Sequence, residues 1–316
     1  MYRTLTHSGG RKLNKAKIGH FVFYISLLII PILHFFIFYL YVNINSFVMA
    51  FQHYSQDSVT QQITISFVGF DNFKVAWEAI TKYPYTMRNS FIFIAIDLFI
   101  SQPLAILASY YIYKKKPGSA FFRAVLYLPQ VLSGIILGVI FKFMIGTALP
   151  ALLDQVFNVH ILSPIDNPDA QLWVMMLFTI TMSFGVNVLL YANAMGNVNP
   201  ANIESASLDG ANTIQILWHV VLPKIYPTIV SLAIVILSQV FTSQFQVFNV
   251  YGEDAGQLQN VGYFIYITSL KSSLLGFDGY ISYTELSALG LSLTAIIVPV
   301  VFLTRFLMNR FGPKED

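Results

Sequence analysis

The sequence predicts an all-α membrane protein with six transmembrane helices and both termini in the cytoplasm. Three observations lead there. Of 316 residues, 56% are hydrophobic and only 10% charged, with mean hydropathy +0.64, whereas a soluble domain carries about 25% charged residues. Six runs approach or exceed the roughly 20 apolar residues that a helix needs to cross the hydrocarbon core. Lys and Arg fall mainly on one side of those runs, and that bias sets orientation. A closed barrel is the other spanning architecture, but its strands alternate apolar and polar over about 10 residues. These runs are continuous.

The elements follow in order. Residues 1–20 form a basic, polar cytoplasmic segment. The apolar run after it is longer than a secretory core and lacks a small-residue cleavage pattern, so an uncleaved first span is expected. The spans are expected at 21–42, 90–113, 121–145, 172–194, 228–250 and 286–308, within one membrane domain over 21–308. A cytoplasmic tail, 309–316, ends the chain. Arg3, Arg11, Lys12, Lys15, Lys17, Lys114, Lys115, Lys116, Arg123, Lys224, Arg305, Arg310 and Lys314 share the cytoplasmic side, against Lys74, Lys82, Arg88 and Lys271 outside. Segment 43–89, with Phe67-Val68-Gly69-Phe70 and Trp77, is external and expected to fold against the membrane surface. Segment 146–171 is external and free of Lys and Arg. No repeat of fixed period and no low-complexity tract is visible.

The cytoplasmic connection, 195–227, is more than a linker. Asn199-Pro200 is a helix start, with Asn as cap and Pro at the first helical position. A short helix should run from Ala201 to Leu208 and end at Asp209-Gly210, because Gly accepts the left-handed conformation found past many helix ends. Asn212 can cap a second helix, in which Ile214, Leu217 and Val221 recur at helical spacing. Pro223 should interrupt that helix before the fifth span. Two short helices at a sharp turn, with little to bury in lipid, suit a soluble partner with a complementary groove.

These residues resemble a known motif. Glu204-Ser205-Ala206, three residues, Gly210, nine residues, Val220, one residue and Leu222-Pro223 are similar to the "EAA" loop of ABC importer permeases. That loop reads Glu-Ala-Ala, three residues, Gly, nine residues, Ile, one residue, Leu-Pro. Ser205 and Val220 depart from it conservatively. Phe67-Val68-Gly69-Phe70-Asp71-Asn72-Phe73, Phe122-Arg123-Ala124-Val125-Leu126-Tyr127-Leu128-Pro129, Ile140-Phe141-Lys142 and Ser207-Leu208-Asp209-Gly210-Ala211 resemble segments of maltose-type sugar permeases.

The resemblance implies a type I importer permease fold in the cell membrane, with Glu204, Ser205, Ala206, Leu208, Asp209, Gly210 and Pro223 in a coupling element that docks on an ATPase. It further implies a second permease, two ATPase subunits carrying ATP and magnesium, an extracellular solute-binding protein and a carbohydrate cargo, an oligosaccharide. No cofactor is expected on this chain itself.

What the chain lacks agrees with that division of labour. It has no Gly-x-x-x-x-Gly-Lys-Ser/Thr phosphate cradle, no His-Glu-x-x-His zinc helix and no Gly-x-Ser-x-Gly elbow. Cysteine is absent, which removes thiolate chemistry. His34, His160 and His219 are isolated and read as structural. Basic residues flank spans rather than interleave with aromatics, which suits anionic lipid headgroups and not nucleic acid.

Polar residues inside spans usually face the bundle or a water-filled path. In span four, Thr179, Ser183, Asn187 and Tyr191 recur every fourth residue. In span five, Gln239, Thr242, Ser243, Gln246 and Asn249 lie at three- and four-residue spacing. Ser183, Asn187, Gln239 and Ser243 should fall near the midplane. Neutral amides and hydroxyls beside Phe245, Phe248 and Tyr251 suit a sugar; helix-to-helix hydrogen bonding is the competing role. Asp97 and Lys142 are embedded charges near the outer ends of spans two and three, expected to pair with each other, with Lys142 alternatively snorkelling to the interface.

Several functions remain open on the residues alone: importer of another solute such as glycerol phosphate, or a non-transporting membrane scaffold. A secondary transporter would need internal repeats and a pair of broken helices, and the apolar runs suggest neither. An intramembrane enzyme would cluster His, Asp or Glu within the spans, where only Asp97 lies.

Overall fold

The computed structural model describes residues 15–56, 62–275 and 281–313. Most of the basic N-terminal segment, with Arg3, Arg11 and Lys12, and Lys314 of the tail lie outside the described residues.

Among the described residues, six helical stretches are long and apolar enough to cross a bilayer: His20–Met49, Pro84–Tyr113, Gly134–Phe157, Gln171–Gly196, Thr213–Ser238 and Tyr283–Phe311. The chain is a multi-pass membrane protein. Span one comprises α1 (Lys15–His34), a π-helical stretch (Phe35–Tyr41) and α2 (Val42–Met49). A short ribbon, β1 (Gln52–Gln56) with antiparallel β2 (Ile63–Phe67), follows outside. It is the one departure from all-α structure among the described residues. Asn72, buried at the start of α3 (Asp71–Thr81), clamps the ribbon by donating to the carbonyls of Ala50 and Gln52 at 3.0 and 2.8 Å.

Span two is α4 (Pro84–Ile96), a π-turn (Asp97–Ser101) and α5 (Gln102–Tyr113). The third span departs from expectation. In place of one helix over 121–145, α6 (Ser119–Val131) stops, Leu132 and Ser133 are extended, and α7 (Gly134–Phe143) restarts. A π-turn (Met144–Ala148) and α8 (Leu149–Phe157) then continue the helix into the segment expected as external loop. Span four, α9 (Gln171–Gly196), keeps its expected place. Gly185 of α9 sits where a Cβ would overlap the Leu126 carbonyl, so α6 crosses α9 at close range and belongs to the bundle.

After α10 (Pro200–Leu208), the fifth span begins earlier than expected and ends earlier. It consists of α11 (Thr213–Ile216), a π-turn (Leu217–Val221) and α12 (Leu222–Ser238) without interruption. Residues 239–246 are not helical; α13 (Val247–Tyr251), a 3-10 turn (Gly256–Leu258) and external α14 (Val261–Lys271) lead to span six, α15 (Tyr283–Phe311). Two broken crossings thus exist where unbroken helices were expected.

Three of the π-turns share a cause. They end two residues before Pro103, Pro150 and Pro223. A proline ring collides with the carbonyl four residues back and cannot donate to it. Widening that turn to five-residue spacing relieves the clash without ending the helix. This is why Pro223 does not interrupt the fifth span.

The core has two parts. The outer cluster joins α3, α4, the first half of α9, residues 240–250, α14 and the first half of α15, around Phe93, Phe178, Phe245 and Leu289. The inner cluster joins α5, the second half of α9 and residues 216–225, around Tyr191, Met195, Leu217 and Val221.

Candidate functional site

The cytoplasmic element is built by local chemistry. Asn199 Oδ1 accepts from the Ala201 N–H at 3.0 Å and caps α10, a contact worth about 1 kcal/mol. The helix ends as its sequence dictates. Gly210 is left-handed at φ +82°, its N–H donates to the Ser207 carbonyl, and the Ala211 N–H reaches back to Ala206 at 3.0 Å. That paired closure satisfies carbonyls that would otherwise be orphaned. Asn212 and Gln215 then cap α11 reciprocally. Tyr110 of span two donates to the Thr213 carbonyl at 2.9 Å, fixing the element to the bundle.

Ile203 and Ala206 pack inward on the inner cluster, while Glu204, Ser205, Asp209 and Gly210 are exposed and Leu208 is 89% exposed. Beside them, Ala206, Asp209, Gly210, Ala211, Gln215, His219 and Val220 line a concavity of about 320 Å³. Of the residues at helical spacing, Leu217 and Val221 are buried and Ile214 is 67% exposed, while Ile216 is buried. Pro223 lies inside the continuous fifth span, lining an apolar groove with Pro103, Leu217 and Trp218.

The midplane region is organised differently. Gln239, Thr242, Ser243, Gln246 and Asn249 do not form a helical stripe, because α12 ends at Ser238. Phe245 and Gln246 are left-handed, at φ +47° and +63°, a conformation uncommon for residues other than Gly. Distant groups hold the segment there. Thr179 Oγ1 donates to the Phe245 carbonyl at 2.8 Å. Asn260 Nδ2 donates to the Ser243 carbonyl at 3.2 Å, and Ser243 Oγ accepts from the Phe245 N–H. Gly138 and Gly262 lie where a Cβ would overlap the carbonyls of Asn249 and Ser243. Asn249 Nδ2 donates to Gln246 Oε1.

Gln239 and Thr242 are exposed; Ser183, Asn187, Ser243, Gln246 and Asn249 are half-buried. Tyr191 is corrected out of the expected stripe. It is fully buried, and its hydroxyl donates to Gln102 Oε1 at 2.7 Å, tying span four to span two. Thr179 likewise ties helix to loop.

Sequence reasoning missed the polar supports of this region. Buried Asn89 donates to the carbonyls of Gln257 and Gln259 at 2.7 and 2.9 Å. Ser90 Oγ accepts from the Val261 N–H at 2.9 Å. Asn260 Oδ1 caps α14 by accepting from the Tyr263 N–H at 2.7 Å. Asn260 ahead of an apolar run was a readable cap signal; the partners of Asn89 and Ser90, some 170 residues away, were not.

The embedded charges do not pair. Lys142 is exposed, and its ammonium lies 5.8 Å from the ring centre of Tyr251, a cation–π placement. Asp97 instead has Ser101 and Gln102 of its own span beside it. Span three carries Lys142 against α13, away from Asp97.

The family described as binding-protein-dependent transport system inner membrane component matches residues 101–316. The probable ABC transporter permease protein MG188 of Mycoplasma genitalium is similar, 32% identical over 157 residues, 48% of this chain and 47% of that protein. Its homolog in Mycoplasma pneumoniae is 30% identical over 184 residues, 56% of this chain and 54% of its own length. The chain therefore spans about half the length of these curated relatives. The arabinooligosaccharides transport system permease protein AraP of Halalkalibacterium halodurans is 24% identical over 315 residues, 94% of this chain and 92% of that protein. Among solved structures, a bacterial ABC transporter involved in the import of the acidic polysaccharide alginate superposes with a TM-score of 0.74 at 20% identity, covering 94% of this chain and 98% of its own. That likeness is one of fold, and it agrees with the type I importer architecture expected from the sequence.

Proposed function

The chain belongs to the binding-protein-dependent transport system inner membrane component family, and on that premise we propose that it is a permease subunit of an ATP-binding-cassette importer, carrying an oligosaccharide across the cell membrane. The observation that supports this most is the capped helix α10, which holds Leu208 at 89% exposure on the cytoplasmic face. An apolar side chain so placed on a rigid, doubly capped element suits insertion into a partner's cleft. ATP and magnesium belong on that partner, an ATPase present in two copies.

Force entering at α10 would pass into one continuous helix. From Thr213 to Ser238 that helix measures about 39 Å at 1.5 Å per residue, and it ends at the irregular segment 239–246. The element and the polar region are therefore the two ends of one rod. Gln239, Thr242, Gln246 and Asn249, with Ser183 and Asn187, offer neutral donors and acceptors for sugar hydroxyls. A second permease completes the pathway, and an external binding protein delivers the cargo. The oligosaccharide assignment leans on the relative named for arabinooligosaccharides, which aligns with 94% of this chain.

Uptake tests the reading. Cells lacking the chain should lose ATP-dependent accumulation of labelled arabinooligosaccharides, and the wild-type gene should restore it. Gly210→Pro should fail to restore uptake while the protein stays in the membrane, and ATPase subunits should no longer copurify. Undiminished uptake in the deletion strain across neutral and acidic oligosaccharides would exclude a carbohydrate cargo. Assembly and uptake that survive Gly210→Pro would exclude α10 as the docking element.

A further inference from the structure

A groove separate from the cytoplasmic element and from segment 239–246 runs between spans five and six. From α12 come Pro227, Val230, Ser231 and Ile234, at the three- and four-residue spacing of one helix face. From α15 come Arg305 and Asn309, one turn apart, and the six residues enclose about 400 Å³. The two spans are pinned together at the cytoplasmic end of this groove. There the Tyr226 hydroxyl donates to the Met308 carbonyl at 2.9 Å, and Gly312 lies where a Cβ would overlap the Tyr226 ring.

Arg305 stands within the span, six residues before Phe311, and so about 9 Å from the helix end at 1.5 Å per residue. Among the described residues no Asp or Glu lines the groove, and Arg305 takes part in no ion pair or side-chain hydrogen bond. The Asn309 amide is equally uncommitted, whereas Ser231 spends its hydroxyl on the Pro227 carbonyl at 2.8 Å. An ionisable side chain left unpaired in a span marks a binding site and calls for a named partner. The free donors define that partner. A planar guanidinium fork beside an amide suits an anion with several oxygens, and phosphate fits the fork best. The rest of the groove is apolar: Val230 is buried, and Ile234 is half-buried about 5 Å deeper in the membrane than Ser231. A free anion would meet Arg305 and Asn309 and leave that wall uncovered. A molecule with an anionic head and a hydrocarbon tail covers both.

We propose that the groove between spans five and six binds one anionic phospholipid of the cytoplasmic leaflet, with its phosphate on Arg305 and Asn309 and an acyl chain against Val230 and Ile234. The leaflet supplies such lipids, and basic pockets between spans on the cytoplasmic side take their headgroups. The bias of Lys and Arg puts this end of both helices on that side. A lipid so held bridges α12 and α15 beside the Tyr226–Met308 contact, and it gives the embedded guanidinium the counter-charge that the described residues do not supply.

Native mass spectrometry of the full chain tests this, after equilibration in mild detergent with equal amounts of phosphatidylglycerol and phosphatidylcholine. The expected result is one phosphatidylglycerol retained in preference to phosphatidylcholine. Arg305→Ala should lower that retention about fivefold, the factor that one basic residue contributes near an anionic headgroup. Arg310→Ala, outside the groove, should change it little. No preference in the wild type, or equal losses from the two variants, overturns the proposal. Displacement of the lipid by soluble glycerophosphoglycerol at matched concentration also overturns it, in favour of a free anion. A crosslinking readout that keeps Arg305 in place covers the case in which Arg305→Ala does not fold. Ile234→p-benzoylphenylalanine should capture phosphatidylglycerol on illumination. Equal capture of phosphatidylcholine, or capture of a second permease in the assembled transporter instead of lipid, overturns the site.

Discussion

Two ends of the same helix are held by opposite means. At the cytoplasmic end, α10 and the start of α11 are fixed by neighbours in sequence: Asn199 on Ala201, Ala206 with Ala211, Asn212 with Gln215. At the other end, residues 239–246 are fixed by groups far away in sequence, from Thr179 and Asn260 and from the close approach of Gly138 to Asn249. The inner end keeps its shape largely by itself and presents it to solvent. The outer end has a shape only while spans three, four and five and α14 are assembled around it.

Four substitutions can break or sharpen that contrast, in falling order of expected effect. Gly138→Leu drives a side chain into the Asn249 carbonyl and should destabilise the purified protein by about 3 kcal/mol, the upper range for overpacking. Unfolding followed by denaturant titration would show it, and an unchanged midpoint would mean that α7 and α13 do not meet there. Asn260→Ala removes both the α14 cap and the tie to Ser243. The expected loss is about 1–2 kcal/mol, with proteolysis increasing at 239–246 if the long-range tie is what holds it.

Asn199→Ala should cost about 1 kcal/mol and remain local. Hydrogen exchange should quicken in α10 and stay constant at 239–246; coupled exchange at both ends would mean that the two ends are not held independently. Leu208→Ser should leave stability within about 0.5 kcal/mol, as expected for an exposed site. Its effect should appear only as weaker copurification of ATPase subunits. A marked drop in stability would place Leu208 against its own chain instead of a partner.

The same contrast explains which parts the sequence disclosed. Caps, Gly210 and the Glu204–Pro223 spacing are short-range signals, so α10 and its turn were readable residue by residue. Hydropathy disclosed six crossings because lipid imposes length and apolarity on each, although the third and fifth lie at Gly134–Phe157 and Thr213–Ser238 and not at 121–145 and 228–250. It could not place the breaks. Residues 228–250 are apolar enough to read as one helix, and the left-handed positions, Phe245 and Gln246, are not glycines. Their conformation comes from Thr179 and Asn260, which no window over 228–250 contains. The break at Leu132–Ser133 follows Pro129 and precedes Gly134, signals that the surrounding apolar residues outweigh in a hydropathy window. Asp97 and Lys142 stand out because charges in spans are rare, but hydropathy carries no information on which helix faces which, and the expected pair does not form. Pro223 has the sequence character of a helix stop, and the π-turn before it absorbs the effect.

That turn has a geometric consequence. Residues Leu217–Val221 hold one more residue than an α-turn would, which stores slack in a rod that is otherwise stiff. Winding the surplus residue back into α geometry would rotate everything on the cytoplasmic side by about 100° and shift it about 1.5 Å along the axis. Such a turn would break the Tyr110 hydrogen bond to the Thr213 carbonyl and lift Ile216 out of the inner cluster, so the bundle opposes it. Pro223, sitting two residues past the surplus, resists that winding through the clash that created it. The joint between Gln215 and Lys224 is therefore locked twice, by the proline ring within the rod and by the bundle around it.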